Sequence, residues 1–123
     1  MERDLITLKI PNKPSYVGVI RLTTSSIASQ AGLNIEEIED VKVAIAEACI
    51  NAMGKSDNFD IEYELYIEKL VISVKNVSEE IDSKCEDSKE RELGILIIKS
   101  LMDEVEFTSD GIKMIKQIED GNK

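Results

Sequence analysis

The chain has 123 residues, a formal net charge of -10 and no histidine. This length fits a single domain, residues 1–123, with one hydrophobic core. The acidic balance and the lack of a basic stripe argue against direct binding of nucleic acid, because phosphate backbones are held by clustered lysine and arginine. Without histidine, zinc catalysis, His-based triads and histidine phosphorylation of this chain are excluded.

The composition also indicates the cellular compartment of the protein. No apolar run reaches the length of a signal peptide or a membrane span. The two cysteines, Cys49 and Cys85, are too few for a disulfide framework and are not spaced as a metal site. These features predict a reduced, cytoplasmic protein without a membrane segment.

The first third of the chain predicts one strand and two helices. Residues 5–10 read as a strand, and Pro14 suits the first turn of a helix that runs to Ala31 and ends at Gly32. Asn34 and Glu37 have capping-box spacing and predict the start of a second helix. The apolar stripe of that helix consists of Ile38, Val41, Ile45, Ala48 and Ala52.

The rest of the chain predicts four strands and one helix. Residues 61–67 alternate apolar and polar, and residues 70–77 form the second strand of a hairpin. A polar, acidic loop follows at about 78–91, then a helix at 92–102. A last hairpin pairs 104–108 with 112–118 across Ser109, Asp110 and Gly111. This order predicts an α+β fold, a two-layer α/β sandwich of a mostly antiparallel sheet with helices on one face.

Two residues of the second helix are candidates for chemistry. Glu47 and Asn51 are four apart and lie on one helix face. A carboxylate can orient or deprotonate an attacking hydroxyl, and an amide oxygen can hold Mg²⁺, so the pair suits phosphoryl transfer. By itself, however, this spacing is more typical of a solvated polar face than of a catalytic pair.

Longer stretches resemble a known family. Residues 38–52, IEDVKVAIAEACINA, resemble the N-box helix of anti-sigma serine kinases of the RsbW/SpoIIAB type, in the GHKL superfamily of histidine-kinase-like ATPases. Residues 93–105, LGILIIKSLMDEV, are similar to the segment where the glycine box of that family runs into its third helix and next strand. Residues 10–22 are similar to its first strand and helix. The resemblance implies the histidine-kinase-like ATPase (Bergerat) fold.

The resemblance also implies roles in a nucleotide site. Glu47 takes the place of the catalytic base, and Asn51 that of the asparagine that holds Mg²⁺ beside ATP. Asn76 stands where the family has the aspartate that reads adenine, and Ser78 replaces the glycine two residues later. The histidine that follows the N-box asparagine in the family is missing, and Lys55 stands near its position.

The phosphate-cradling glycine box is also altered. Where relatives carry Gly-Gly-Leu-Gly at a helix start, this chain has Arg91-Glu92-Leu93-Gly94. Gly94 remains, and Arg91 can offer a phosphate a charged fork. The preceding loop, the family's lid, is short and acidic, and its charges would repel a nucleotide.

Two functions follow from the resemblance. The first is an anti-sigma factor that sequesters a sigma factor and is regulated by a STAS-domain anti-anti-sigma factor. The second is an active serine kinase that phosphorylates that antagonist with ATP and Mg²⁺. The altered nucleotide-binding motifs favour the first function, the anti-sigma factor. The resemblance further implies a homodimer and a role for Arg21 in contacting partners.

Overall fold

The computed structural model describes residues 3–80 and 88–119. In these residues the chain forms five strands and three α-helices. In chain order they are β1 (Asp4–Pro11), α1 (Val17–Ala31), α2 (Ile35–Ala52), β2 (Asn58–Leu65), β3 (Lys69–Lys75), α3 (Ser88–Leu101), β4 (Glu104–Phe107) and β5 (Gly111–Gln117). A short 3-10 turn at Pro14–Tyr16 leads into α1.

The strands form one antiparallel sheet in the order β1-β2-β3-β5-β4. One face of the sheet is buried, because alternate residues of β2 and β3, such as Ile61, Tyr63 and Ile72, join Ile20, Ile45 and Ile98 of the helices in a single core. The three helices therefore cover one face, and the predicted two-layer α+β sandwich is confirmed.

Local signals set the boundaries of the first two helices. Gly32 ends α1 with a φ of 98°, a left-handed conformation that glycine adopts without strain. Asn34 Oδ1 accepts a hydrogen bond from the Glu37 N–H at 2.8 Å, and Glu37 Oε1 accepts one from the Asn34 N–H at 2.9 Å. The predicted capping box of α2 is therefore present.

Both predicted boundaries of β2 were wrong. The strand predicted at 61–67 runs from Asn58 to Leu65. A turn follows it, closed by the Tyr66 N–H on the Lys69 carbonyl at 2.9 Å, and Ile67 is 70% exposed instead of lying in the sheet. The apolar–polar alternation therefore extends two residues beyond the strand, to Ile67 in the turn.

The third helix begins at Ser88, four residues before the predicted start at 92. Lys89, Glu90, Arg91 and Glu92 are good helix formers, and no glycine interrupts them. The predicted lid at 78–91 therefore loses its last four residues to α3. Residues 81–87 of the lid, with Cys85, lie outside the described residues.

No helix within residues 3–80 and 88–119 is long and apolar enough to cross a membrane.

Candidate functional site

Glu47 and Asn51 lie one turn apart near the C-terminal end of α2. Glu47 is half-buried, and Asn51 is 5% exposed. The apolar residues between and around them, Ala44, Ala48 and Ala52, are buried in the core and fix this face of α2. The predicted adjacency of the two side chains follows from this placement, and Glu47 stays accessible from a cavity.

The side-chain amide of Asn51 forms hydrogen bonds with two neighbouring residues, Ser78 and Lys55. Its Nδ2 donates to the Ser78 carbonyl at 3.0 Å, and its Oδ1 accepts from the Ser78 N–H at 3.0 Å. The same Oδ1 accepts from the Lys55 Nζ at 3.0 Å. An amide oxygen has two lone pairs, so both acceptor positions of Asn51 are in use.

This arrangement does not fit Mg²⁺. The ion requires oxygen ligands in near-octahedral geometry at about 2.0–2.1 Å, and a lysine ammonium already lies on the only oxygen that Asn51 can offer. Among the described residues, no group of three or more carboxylate, cysteine or histidine side chains could hold a metal ion. Mg²⁺ would have to displace Lys55 or Ser78 to reach Asn51.

Gly94 lies against Glu47 in the interior of α3. It is the seventh residue of that helix, and a Cβ on Gly94 would come within 2.7 Å of Glu47 Oε1. Only the first four N–H groups of a helix lack intrahelical partners, so the Gly94 N–H is not available to a phosphate. The expected glycine box at a helix start is therefore not formed here, because α3 begins earlier than expected. The position of Gly94 instead makes room for the Glu47 carboxylate.

A cavity of about 290 Å³ lies between residues of α2 and α3. We call it the α2–α3 cavity. It carries the predicted site residues Glu47, Arg91 and Gly94. Its lining is Glu47, Ile50, Glu90, Arg91, Leu93, Gly94 and Ile97.

Arg91 lines the α2–α3 cavity, whereas Lys55 follows α2 and contacts Asn51. Burial of the Lys55 ammonium lowers its pKa, and the nearby Arg91 guanidinium lowers that pKa further. Sequence reasoning noted Lys55 only as the replacement of a histidine. The signal that could have found its contact is its spacing of four from Asn51, which in a helix or helical turn brings side chains together.

Asn76 is placed apart from the α2–α3 cavity. Its φ is 66°, a left-handed conformation that asparagine tolerates better than most residues. Its N–H donates to the Asp110 carbonyl at 2.8 Å, and its exposed side chain donates to Ser56 Oγ at 3.1 Å. Among the described non-glycine residues, the positive φ therefore lies at Asn76 and not at Ser78, whose backbone bonds to Asn51.

Arg21 lies on α1, and its side chain is exposed. It does not line the α2–α3 cavity. The predicted site residues therefore lie in three places. Glu47, Asn51, Arg91 and Gly94 are on α2 and α3, Asn76 follows β3, and Arg21 is on α1.

A sheet covered on one face by three helices, with a glutamate and an asparagine one turn apart on α2, is the architecture of a histidine kinase-like ATPase domain. The model of the family described as histidine kinase-like ATPase domain matches residues 10–116 of this chain.

Comparison with individual relatives identifies a narrower family within these ATPases. The chain is 40% identical to the serine-protein kinase RsbW of Bacillus pumilus, over 87% of this chain and 80% of that protein. It is 33% identical to RsbW of Bacillus subtilis, over 95% and 75%, and 33% identical to RsbW of Listeria innocua, over 98% and 94%. The chain belongs to this family of RsbW serine-protein kinases within the histidine kinase-like ATPases.

Proposed function

We propose that the protein is an anti-sigma factor that binds and sequesters a sigma factor in the cytoplasm. A STAS-domain anti-anti-sigma factor would release the sigma factor by binding in its place. The observation that carries this proposal is a contrast between scaffold and nucleotide site. The fold and the resemblance to RsbW extend along most of the chain, whereas Asn51, the expected metal ligand, is bound to Lys55 and Ser78.

The nucleotide site supports a reduced role for catalysis. ATP is the nucleotide that the family uses, and we propose that this chain binds it weakly and transfers phosphate slowly. Gly94 presents no unpaired N–H to a phosphate, and Asn76 bonds to Ser56 rather than facing the cavity. Losing a charge-assisted hydrogen bond lowers affinity by about ten- to a hundredfold, which corresponds to about 1.5–3 kcal/mol.

The exposed side of α1 supports protein binding. Val19, which is 46% exposed, and Leu22, which is 72% exposed, are three residues apart and share one face of α1. Arg21 is also exposed on this helix. Arginine is enriched among interface hot spots, and accessible apolar side chains add surface that binding can bury. We propose that this face contacts the partners and that the protein acts as a homodimer of a single domain.

The test uses the sigma factor that co-purifies with the full chain from its native host. We expect Arg21→Ala to weaken that complex by about tenfold or more, measured by titration calorimetry, without lowering the thermal midpoint. Arg3→Ala is the matched control, because Arg3 pairs with Glu64 at the β1–β2 edge of the sheet. Equal affinity of Arg21→Ala and wild type would exclude the role of Arg21, and no sigma factor bound to the wild type would exclude the proposal.

The second candidate is an active serine kinase that phosphorylates the anti-anti-sigma factor. It is favoured by Glu47, which keeps its carboxylate at the cavity where a catalytic base is required. ATP with Mg²⁺ would then be the cofactor, and Asn51 would have to exchange Lys55 for the ion. Micromolar affinity for Mg-ATP, with phosphate transfer that Glu47→Ala abolishes, would establish this second function.

A further inference from the structure

Apolar side chains that are accessible to solvent border the α2–α3 cavity. Ile50 of α2 and Leu93 and Ile97 of α3 line it. Leu96 is three residues from Leu93, and Val43 is seven residues from Ile50, so each continues the apolar face of its own helix. Leu93 and Leu96 are 57% and 61% exposed. Single exposed apolar residues are common, whereas a row of them along a cavity is typical of a binding surface. We call the cavity with these five side chains the α2–α3 groove.

The α2–α3 groove also carries negative charge. Glu47 and Glu90 line the cavity together with one guanidinium, that of Arg91. Within residues 3–80 and 88–119, neither carboxylate forms an ion pair. Glu47 is half-buried, so part of its surface is already removed from water. The cavity therefore combines apolar walls with a partly buried carboxylate that still needs a positive partner.

These groups together specify the chemistry of an occupant. A molecule that covers Ile50 and Leu93 also shields Glu47 from water, because all three line the same cavity. Removing a carboxylate from water is costly unless a cation pairs with it. A phosphate in the cavity would instead be repelled by Glu47 and Glu90. The occupant that fits is therefore apolar over most of its contact surface and carries a positive charge opposite Glu47.

The shape of the groove favours a helix as the occupant. Side chains of one helix fit between the ridges of others, and an amphipathic helix binds a hydrophobic groove through anchors at positions i, i+3, i+4 and i+7. An added strand would need the free backbone groups of a sheet edge. The groove offers none, because its walls are the helices α2 and α3.

We propose that the α2–α3 groove is a docking surface for an amphipathic helix of a partner protein. The apolar side chains of that helix cover Ile50, Leu93 and Ile97, and one of its lysine or arginine residues pairs with Glu47. This surface lies apart from Arg21 on α1, so the proposal goes beyond the proposed function.

The experiment uses a fluorescein-labelled synthetic helix with leucine at positions i, i+3 and i+7 and lysine at i+4. A second peptide has glutamine in place of the lysine. The full chain is titrated into each peptide, and fluorescence polarisation gives the affinity. We expect the lysine peptide to bind the wild type about tenfold more tightly than the glutamine peptide, because only lysine can pair with Glu47.

Glu47→Gln tests the ion pair. It should weaken binding of the lysine peptide by about tenfold and leave binding of the glutamine peptide unchanged. Glu62→Gln is the matched control, because Glu62 is exposed on β2 and its replacement changes the net charge equally. General attraction between a cationic peptide and an acidic protein would affect both variants alike.

Leu93→Ser tests the apolar wall. It should weaken binding of both peptides by about tenfold, because a largely exposed leucine can no longer be buried. Ile67→Ser is its control, since Ile67 is exposed in the turn after β2. Arg21→Ala should bind both peptides as the wild type does.

Several results would overturn the proposal. They are no binding of the lysine peptide, equal affinities of the two peptides for the wild type, or a Leu93→Ser chain that binds as the wild type does. Self-association in sedimentation velocity that Leu93→Ser abolishes would show that a second copy covers the groove, and would also overturn it. A wild type that binds its sigma factor but neither peptide would remove this proposal and leave the anti-sigma function intact.

Discussion

At the scale of single residues, two glycines show that the cost of adding a Cβ depends on which atom the Cβ would meet. At Gly94 an added Cβ would meet the Glu47 carboxylate, which is the end of a flexible side chain. At Gly111 it would collide with the carbonyl oxygen of Val74, which belongs to the backbone of the paired strand β3. A carboxylate can move by rotation about its bonds, whereas a backbone carbonyl in a sheet cannot move alone.

We therefore expect Gly94→Ala to change the free energy of unfolding by less than about 1 kcal/mol, because a gain in helix propensity of about that size offsets the displaced carboxylate. Gly111→Ala should lower the free energy of unfolding by about 2–3 kcal/mol through overpacking. Gly18→Ala is the control, since nothing lies within 4 Å of its added Cβ. Urea unfolding measures all three, and equal losses for Gly94→Ala and Gly111→Ala would contradict this account.

At the scale of elements, α2 begins at a complete capping box and carries both Glu47 and Asn51. Asn34 satisfies an N–H group of the first turn, and Glu37 satisfies the Asn34 N–H in return. Glu36 and Glu37 also place negative charge at the positive end of the helix dipole. The start of the helix that holds the candidate site is thus stabilised by residues in its own sequence.

We expect Asn34→Ala to lower the free energy of unfolding by about 1 kcal/mol, because the first turn loses its side-chain acceptor. Gln30→Ala is the control, as it removes an exposed amide from α1 without affecting a cap. Chemical denaturation monitored by circular dichroism gives both values. The box would have no energetic role if the two variants had the same stability as the wild type.

At the scale of the whole molecule, two ionisable groups lie neutral in the core. Burial raises the pKa of Cys49 to about 12 and that of Tyr63 to about 12. The Tyr63 hydroxyl lies 2.7 Å from the Thr24 hydroxyl, which links β2 to α1 inside the core. Both groups titrate at lower pH in the unfolded chain, where their usual values are 9.0 and 10.0.

Because both pKa values are raised by folding, their contribution to stability is full below the unfolded values. It is lost as the pH rises through 9.0 towards about 12. The slope is up to about 1.4 kcal/mol per pH unit for each group. We expect the free energy of unfolding to fall over this range, and to fall less steeply in Cys49→Ala. Urea titrations at a series of alkaline pH values test this, and parallel curves for wild type and variant would refute it.

Many local features of the fold are determined by interactions between residues close together in the sequence. The capping box at Asn34, the left-handed end of α1 at Gly32 and the turn before Gly111 all depend on neighbours in the chain, so the sequence predicted them correctly. The order of elements and the alternation along β2 likewise indicated a two-layer α+β fold. Glu47 and Asn51 could be found together because helical geometry alone puts residues four apart on one face.

Contacts between distant segments were decided only by the tertiary structure. Asn51 and Ser78 are 27 residues apart, and no periodic pattern records that the end of β3 would reach the end of α2. The close approach of Gly94 to Glu47 depends on how α2 and α3 pack against each other. Hydrophobic periodicity specifies which face of an element is buried but not which partner covers it, so the arrangement around Asn51 and Lys55 emerged only when the helices and the sheet came together.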